Sequence, residues 1–140
     1  MYDSYLKDII KKIGHNRTTD TDALTKVGGQ LLGKLFRGVF PSDRIPRMRT
    51  GQYCILNLDR SSEGGSHWIA VAKDAARSFV VYDSFGRKAT KIIPSLAKLG
   101  KTRDTEDDAE QGLLEENCGQ RSLAWLMVYH NHGKSSALLI

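Results

Sequence analysis

Proline and cysteine are scarce in this chain, three and two residues among 140, and no apolar run approaches the roughly 20 residues that a membrane span requires. Two cysteines, Cys54 and Cys118, cannot build a disulfide framework, and a core of this size does not need one; both are expected as free thiols in a reducing compartment. The first residues, MYDSYLKDII, have neither a basic start ahead of an apolar stretch nor a small-residue cleavage site, so neither secretion nor membrane attachment is expected. No internal repeat, low-complexity tract or Walker-type phosphate loop is present. What is there is ordinary globular usage, 40% hydrophobic and 26% charged. It predicts one folded, soluble domain over residues 1–140, with room for a single active site.

The net charge of +5 is unevenly spread. Residues 1–103 carry 19 Lys and Arg against 9 Asp and Glu, while residues 104–140 carry 2 against 7. The basic part can hold a polyanion such as nucleic acid, or can serve only as a solvated surface.

Tyr2, Leu6, Ile9, Ile10 and Ile13 fall at helical spacing and predict a helix over 2–13, capped by Asp3 or Ser4 and ended by Gly14. Residues 16–22 are polar, and the glycine-punctuated apolar segment 27–40 fits neither period. Residues 41–50 read as a basic loop, because two prolines break either pattern. Runs at 53–58, 67–72 and 78–82 predict three strands of an antiparallel meander, with a turn at 59–66. A short helix is expected within 91–99, starting near Pro94, followed by an acidic loop at 104–110. The last strong signal is a helix over 118–130 with Asn117 as cap, so apolar that it must be largely buried. Strands first and a buried helix last predict an α+β fold, a small antiparallel or mixed sheet packed on a central helix.

Three residues able to do chemistry stand at element ends: His67 opening a strand beside Trp68, Asp83 just after the next strand, and Cys118 heading the buried helix. A helix N-terminus favours a thiolate, a histidine can take the thiol proton, and a carboxylate behind it fixes the ring tautomer. The Cys118 backbone N–H and a nearby amide side chain, for which Gln111 is well placed, can hold an oxyanion. Each feature has a plain structural alternative: Cys118-Gly119 as helix packing, His67 as a surface histidine, Asp83 as a turn former, Trp68 as core filling. His130-x-His132 looks like a metal pair but lacks companions, so no metal is expected, and Cys54 reads as a small buried hydrophobe.

Taken together, CILNLDRSSEGGSHW over 54–68, FVVYDSFG with its carboxylate 16 residues after the histidine, and a glutamine seven residues before Cys-Gly closely resemble the adenovirus-type cysteine proteases, the adenains. The resemblance spans about residues 28–130, with LLGKLFRGVFP a looser match upstream. The wider clan includes the SUMO-specific proteases, in which the glutamine stands one residue nearer the cysteine. The resemblance implies an adenain-like fold and a cysteine endopeptidase with Cys118 as nucleophile, His67 as general base and acid, Asp83 orienting the histidine and Gln111 in the oxyanion hole. It makes Trp68 an aromatic wall over the substrate backbone and implies cutting beside small residues, commonly glycine.

By the same resemblance the enzyme is a viral or virus-derived maturation protease, a monomer acting on a viral precursor or capsid protein in the virion or the host cell interior, including the nucleus. No cofactor is needed for the chemistry, but adenains are activated by a short peptide and by DNA. Charge makes Arg44, Arg47, Arg49, Lys88 and Lys91 the candidate DNA contacts. Only 22 residues follow Cys118, fewer than in adenain, so part of that cleft is expected to be absent, shortened or supplied by a partner. Rival readings are a protease removing ubiquitin-like modifiers, an acyltransferase built on the same constellation, and a non-enzymatic DNA- or capsid-binding module.

Overall fold

The computed structural model describes residues 1–58, 67–106, 109, 111 and 116–140. The turn expected at 59–66 lies outside the described residues, as do Asp107, Asp108 and Glu110 of the acidic loop. The fold is α+β. Helices α1 (Tyr2–Ile13) and α2 (Thr21–Leu32) lead into strand β1 (Phe36–Pro41), followed by β2 (Tyr53–Asn57), β3 (Trp68–Ala75) and β4 (Ser78–Tyr82). Two short helices, α3 (Ala89–Ile92) and α4 (Pro94–Ala97), connect to β5 (Lys101–Asp104), and the chain closes with α5 (Cys118–His132) and α6 (Lys134–Leu138).

The five strands form one mixed sheet in the order β1-β2-β3-β4-β5. The expected meander is its centre: β2 to β3 and β3 to β4 are antiparallel, with Ile55 opposite Ala70 and Ala70 opposite Tyr82. Each edge adds a parallel strand, β1 beside β2 and β5 beside β4. A parallel pair needs a crossover, and the two crossovers, the 42–52 loop and the α3–α4 segment, cover the same face of the sheet. Both faces are therefore buried. Tyr53, Ile55, Ala70, Ala72, Val80 and Tyr82 pack on α1, α2 and α5, while Cys54, Leu56, Ile69, Val71 and Val81 pack on Met48, Ile93 and Leu96. Alternation along β2 thus puts Cys54 in one core and its neighbours in the other.

Helix α5 is the centre of the first core: Leu123, Ala124, Trp125, Leu126 and Val128 are fully buried. Trp125 stacks flat on Tyr82 with ring centroids 5.6 Å apart. Gly14 ends α1 in the left-handed region (φ 99°), as expected, but α1 begins at Tyr2, so Asp3 and Ser4 sit inside its first turn and do not cap it. Helix α2 occupies part of the segment that fitted neither period. It is capped by Asp20, whose carboxylate accepts from the Ala23 N–H at 2.7 Å. A Cβ at Gly28 would stand 2.4 Å from the Phe36 ring, so a glycine inside the helix is what lets α2 lie on β1. Among the described residues no helix is long and apolar enough to cross a membrane.

Candidate active site

His67 immediately precedes β3, Asp83 immediately follows β4, and Cys118 is the first residue of α5. The β3–β4 ladder pairs Ala70 with Tyr82. Continued outward, the same register sets His67 opposite Phe85, and the two rings do stack, with centroids 4.8 Å apart. The helix is brought to the strand by the backbone of Trp68. Its N–H donates to the Cys118 sulfur at 3.5 Å, and its carbonyl accepts from the Ser122 hydroxyl at 3.2 Å. Cys118 and Ser122 are four apart and share a helix face, so one residue of β3 holds the first turn of α5 at two points.

His67 is the residue on which Asp83 and Cys118 both act. Its Nε2 donates to Asp83 Oδ1 at 2.5 Å, and the Cys118 thiol is near enough to act on the ring; with Nε2 taken by Asp83, Nδ1 is the nitrogen left for the sulfur. Burial alone would pull the imidazole pKa down. The bonds to Asp83 and Cys118, and the charges on both, outweigh burial and hold it above 6.5. For Asp83 burial pushes upward, but hydrogen bonds from His67 and Arg87, the His67 charge and the Phe85 N–H hold the carboxyl below 3.8. Asp83 is thus an ionised carboxylate whose contacts are all donors: His67 Nε2 and Phe85 N–H on Oδ1, and Arg87 Nε at 2.7 Å with the Arg87 N–H on Oδ2. The Arg87 guanidinium also lies over Phe85, 5.4 Å from the ring centroid, so Arg87 and His67 both meet the Phe85 ring beside the carboxylate.

Gln111 is buried and tied to the residue after Asp83. The Ser84 hydroxyl donates to its Oε1 at 2.6 Å, and its own N–H donates to the Ser84 carbonyl at 3.0 Å. Fixing Oε1 commits the NH₂ end, the donor end, to the other side of the carboxamide. Ahead of Cys118, Asn117 heads α5 as expected, but its side chain does not cap the helix. It donates to Asn16 Oδ1 at 2.7 Å and accepts from Arg121 Nε at 2.9 Å. Gln120 Nε2 bonds the carbonyls of His15 and Arg17, so the α1–α2 connection wraps the head of α5. Gly119 has a packing reason: a Cβ there would come within 2.8 Å of Thr19 and 3.1 Å of Leu24.

Trp68 is buried in the first core, and its indole N–H has no partner among the described residues. Arg44, Arg47 and Arg49 are exposed on the β1–β2 loop, and Lys88 and Lys91 are exposed at the head of α3 and within it. His130 and His132 meet different tyrosines, Tyr53 and Tyr5, and among the described residues no group of three or more His, Cys, Asp and Glu is placed to hold a metal ion.

Sequence reasoning singled out Cys118, His67, Asp83 and Gln111, and the fold places the first three in contact and the fourth beside the Asp83 turn. It missed Arg87 and Ser122 altogether and read Ser84 and Phe85 only as part of a motif. The raised pKa of His67 has a kinetic consequence. A base that keeps its proton above 6.5 becomes available only above that value, so if the chain hydrolyses peptides with His67 as base, the acid limb of kcat/KM is expected to have its midpoint above pH 6.5. A midpoint at pH 5 would exclude His67 as the base.

Compared with protein-family models the chain matches none, and no curated protein matches it in sequence.

Proposed function

We propose that the chain is a cysteine endopeptidase of the adenain kind, with that family's arrangement of a sheet on the nucleophile helix, cutting precursor proteins beside glycine. The observation that carries the reading is the pairing of His67 with a buried carboxylate on Nε2, while the Cys118 thiol is close enough to raise the ring's pKa. A packing cysteine and a surface histidine have no need of a buried, donor-saturated carboxylate behind them.

In this mechanism Nδ1 of neutral His67 takes the Cys118 proton as the sulfur bonds to the scissile carbonyl carbon, and the carbonyl π electrons move onto oxygen. Asp83 holds the Nε2–H tautomer and stabilises the imidazolium without taking a proton itself. The oxyanion is held by the Cys118 backbone N–H, one of the first-turn donors that has no partner within its helix, and by the Gln111 NH₂. When the carbonyl reforms, the C–N bond breaks and the departing nitrogen takes the Nδ1 proton, leaving a thioester. Water then gives a proton to Nδ1 as its oxygen attacks the thioester carbon. The C–S bond breaks and the sulfur recovers its proton from the imidazolium. Cys118 is only 3% exposed, so a carbonyl reaches its sulfur most easily from a residue without a side chain, which supports the preference for glycine.

With this reading go a viral precursor or capsid protein as substrate, an interior reducing setting, a peptide activator, and DNA held by the exposed arginines of the β1–β2 loop with Lys88 and Lys91. The test is a peptide library incubated with the chain, with and without duplex DNA. Cleavage at glycine bonds that iodoacetamide abolishes is the expected result, and an intact library under all conditions would defeat the proposal. Gln111→Ala is expected to lose about 100-fold in kcat, the effect of one lost oxyanion donor, while the thermal midpoint moves little. A loss below about threefold would remove Gln111 from the chemistry.

A further inference from the structure

A cavity of about 490 Å³ opens beside His67: His67 is in its wall, with Arg87 of the Asp83 turn, and Cys118 is not. That volume is in the range of small-ligand and short-peptide sites. Its walls come from the start of the β1–β2 loop and from the α3–α4 crossover, which are stitched together where the Ser95 hydroxyl donates to the Ser42 carbonyl at 2.8 Å.

Among the described residues two cations line it, Arg87 and Lys91, against one carboxylate, Asp43. Arg87 is committed to Asp83 through Nε and its backbone N–H, and a guanidinium carries two further NH₂ groups able to hold another anion. Lys91 and Asp43 are exposed and make no ion pair among the described residues. His67 adds a third positive charge each time it carries the proton taken from the thiol.

The side of the scissile bond that enters this cavity follows from proton transfer. The imidazole must hand its proton to the departing nitrogen, so the leaving segment lies on the imidazole side of the sulfur. We infer that the cavity is the leaving-side subsite of the protease and selects an acidic side chain in the segment that follows the cut. This rests on the protease reading, and it adds the substrate class. An acidic leaving segment neutralises Arg87 and Lys91, whereas a basic one would face both and gain, among the described residues, Asp43 alone. The acidic segment has its largest advantage while His67 is protonated, which is when the amine departs.

Three peptides identical up to the cut and continuing Ala-Glu-Glu, Ala-Gln-Gln or Ala-Lys-Lys test it. The glutamate peptide is expected to exceed the glutamine peptide in kcat/KM by about fivefold, the size of one or two partly exposed charge pairs, with the lysine peptide slowest. Lys91→Glu is expected to invert the order of the glutamate and lysine peptides. Equal rates for all three, or an order that Lys91→Glu leaves untouched, would overturn the inference while the protease reading stands. A second measurement does not depend on turnover: binding of the free leaving peptides to the Cys118→Ala chain, followed by fluorescence anisotropy. Tighter, salt-sensitive binding of the glutamate peptide that Lys91→Glu abolishes supports the subsite. Indifferent binding overturns it, whether or not any peptide is cut.

Discussion

Cys118→Ala is expected to reduce hydrolysis of a glycine-containing peptide by about 10⁴-fold or more, the loss seen when the nucleophile of a triad is removed. A peptide vinyl sulfone is expected to label wild-type protein once. After trypsin, the adduct should appear on the fragment 104–121, which contains Cys118, and not on 50–60, which contains Cys54. The two thiols belong to different environments. Cys54 lies in the second core, on the face of β2 turned away from α5, and is fully buried. Desolvation pushes its thiol up to about 12, and the nearby Arg37 charge only partly opposes this, so it offers almost no thiolate at neutral pH. Cys118 lies across the sheet with an imidazole and the Trp68 N–H on its sulfur. The alanine side chain fits wherever the cysteine did, and the helix stays pinned through Ser122 to Trp68, so the thermal midpoint should change little. An adduct on 50–60, or a Cys118→Ala chain that still cuts at the wild-type rate, would end the proposed mechanism.

The central strands and the last long helix are readable in the chain because burial on both faces leaves a strong pattern. Tyr53 to Leu56 and Trp68 to Ala72 are unbroken buried runs, and α5 is apolar around nearly its whole circumference. The edges are not readable. β5 is Lys-Thr-Arg-Asp, four residues without an apolar side chain, and it is a strand only because the α3–α4 crossover lays it beside β4. β1 contains Gly38 at φ 119° and pairs with β2 through an irregular register, so neither alternation nor a continuous run survives in FRGVFP. Helix α2 is masked by two adjacent glycines, one of which the ring of Phe36 demands.

The site follows the same division. His67, Asp83 and Cys118 can be picked out because their chemistry is distinctive and each ends an element. Arg87 and Ser84 lie in the turn after β4, and a spacing of four carries no pairing signal outside a helix. Only the folded turn shows that Arg87 closes on the second carboxylate oxygen and that Ser84 orients Gln111.

The donor-saturated state of Asp83 makes Asp83→Asn more disruptive than its size suggests. Both carboxylate oxygens accept only from N–H groups, so an asparagine in either orientation turns its NH₂ against a donor. If the NH₂ faces Arg87, it meets Nε, and that guanidinium is free to swing toward water, its side chain being 46% exposed. If it faces His67, the ring is relieved by moving its proton to Nδ1, the nitrogen turned to Cys118, and in that tautomer it can no longer receive the thiol proton. Loss of the negative charge also removes one of the influences that hold the His67 pKa up.

The expected outcome is a fall in kcat of about 10³- to 10⁴-fold, with the residual acid limb moved to lower pH, and a stability cost of about 1–3 kcal/mol from unpaired buried donors. That cost carries its own pH dependence. The contribution of Asp83, whose pKa is depressed, is present above 3.8 and is lost as the pH falls through its folded value. The contribution of His67, whose pKa is raised, is complete below 6.5 and is lost as the pH rises through its folded value. The destabilisation measured by urea unfolding should therefore be larger at pH 5.5 than at pH 9 or in strong acid. A difference independent of pH, together with an activity within about tenfold of wild type, would show that Asp83 neither pairs with the imidazole in solution nor fixes its tautomer.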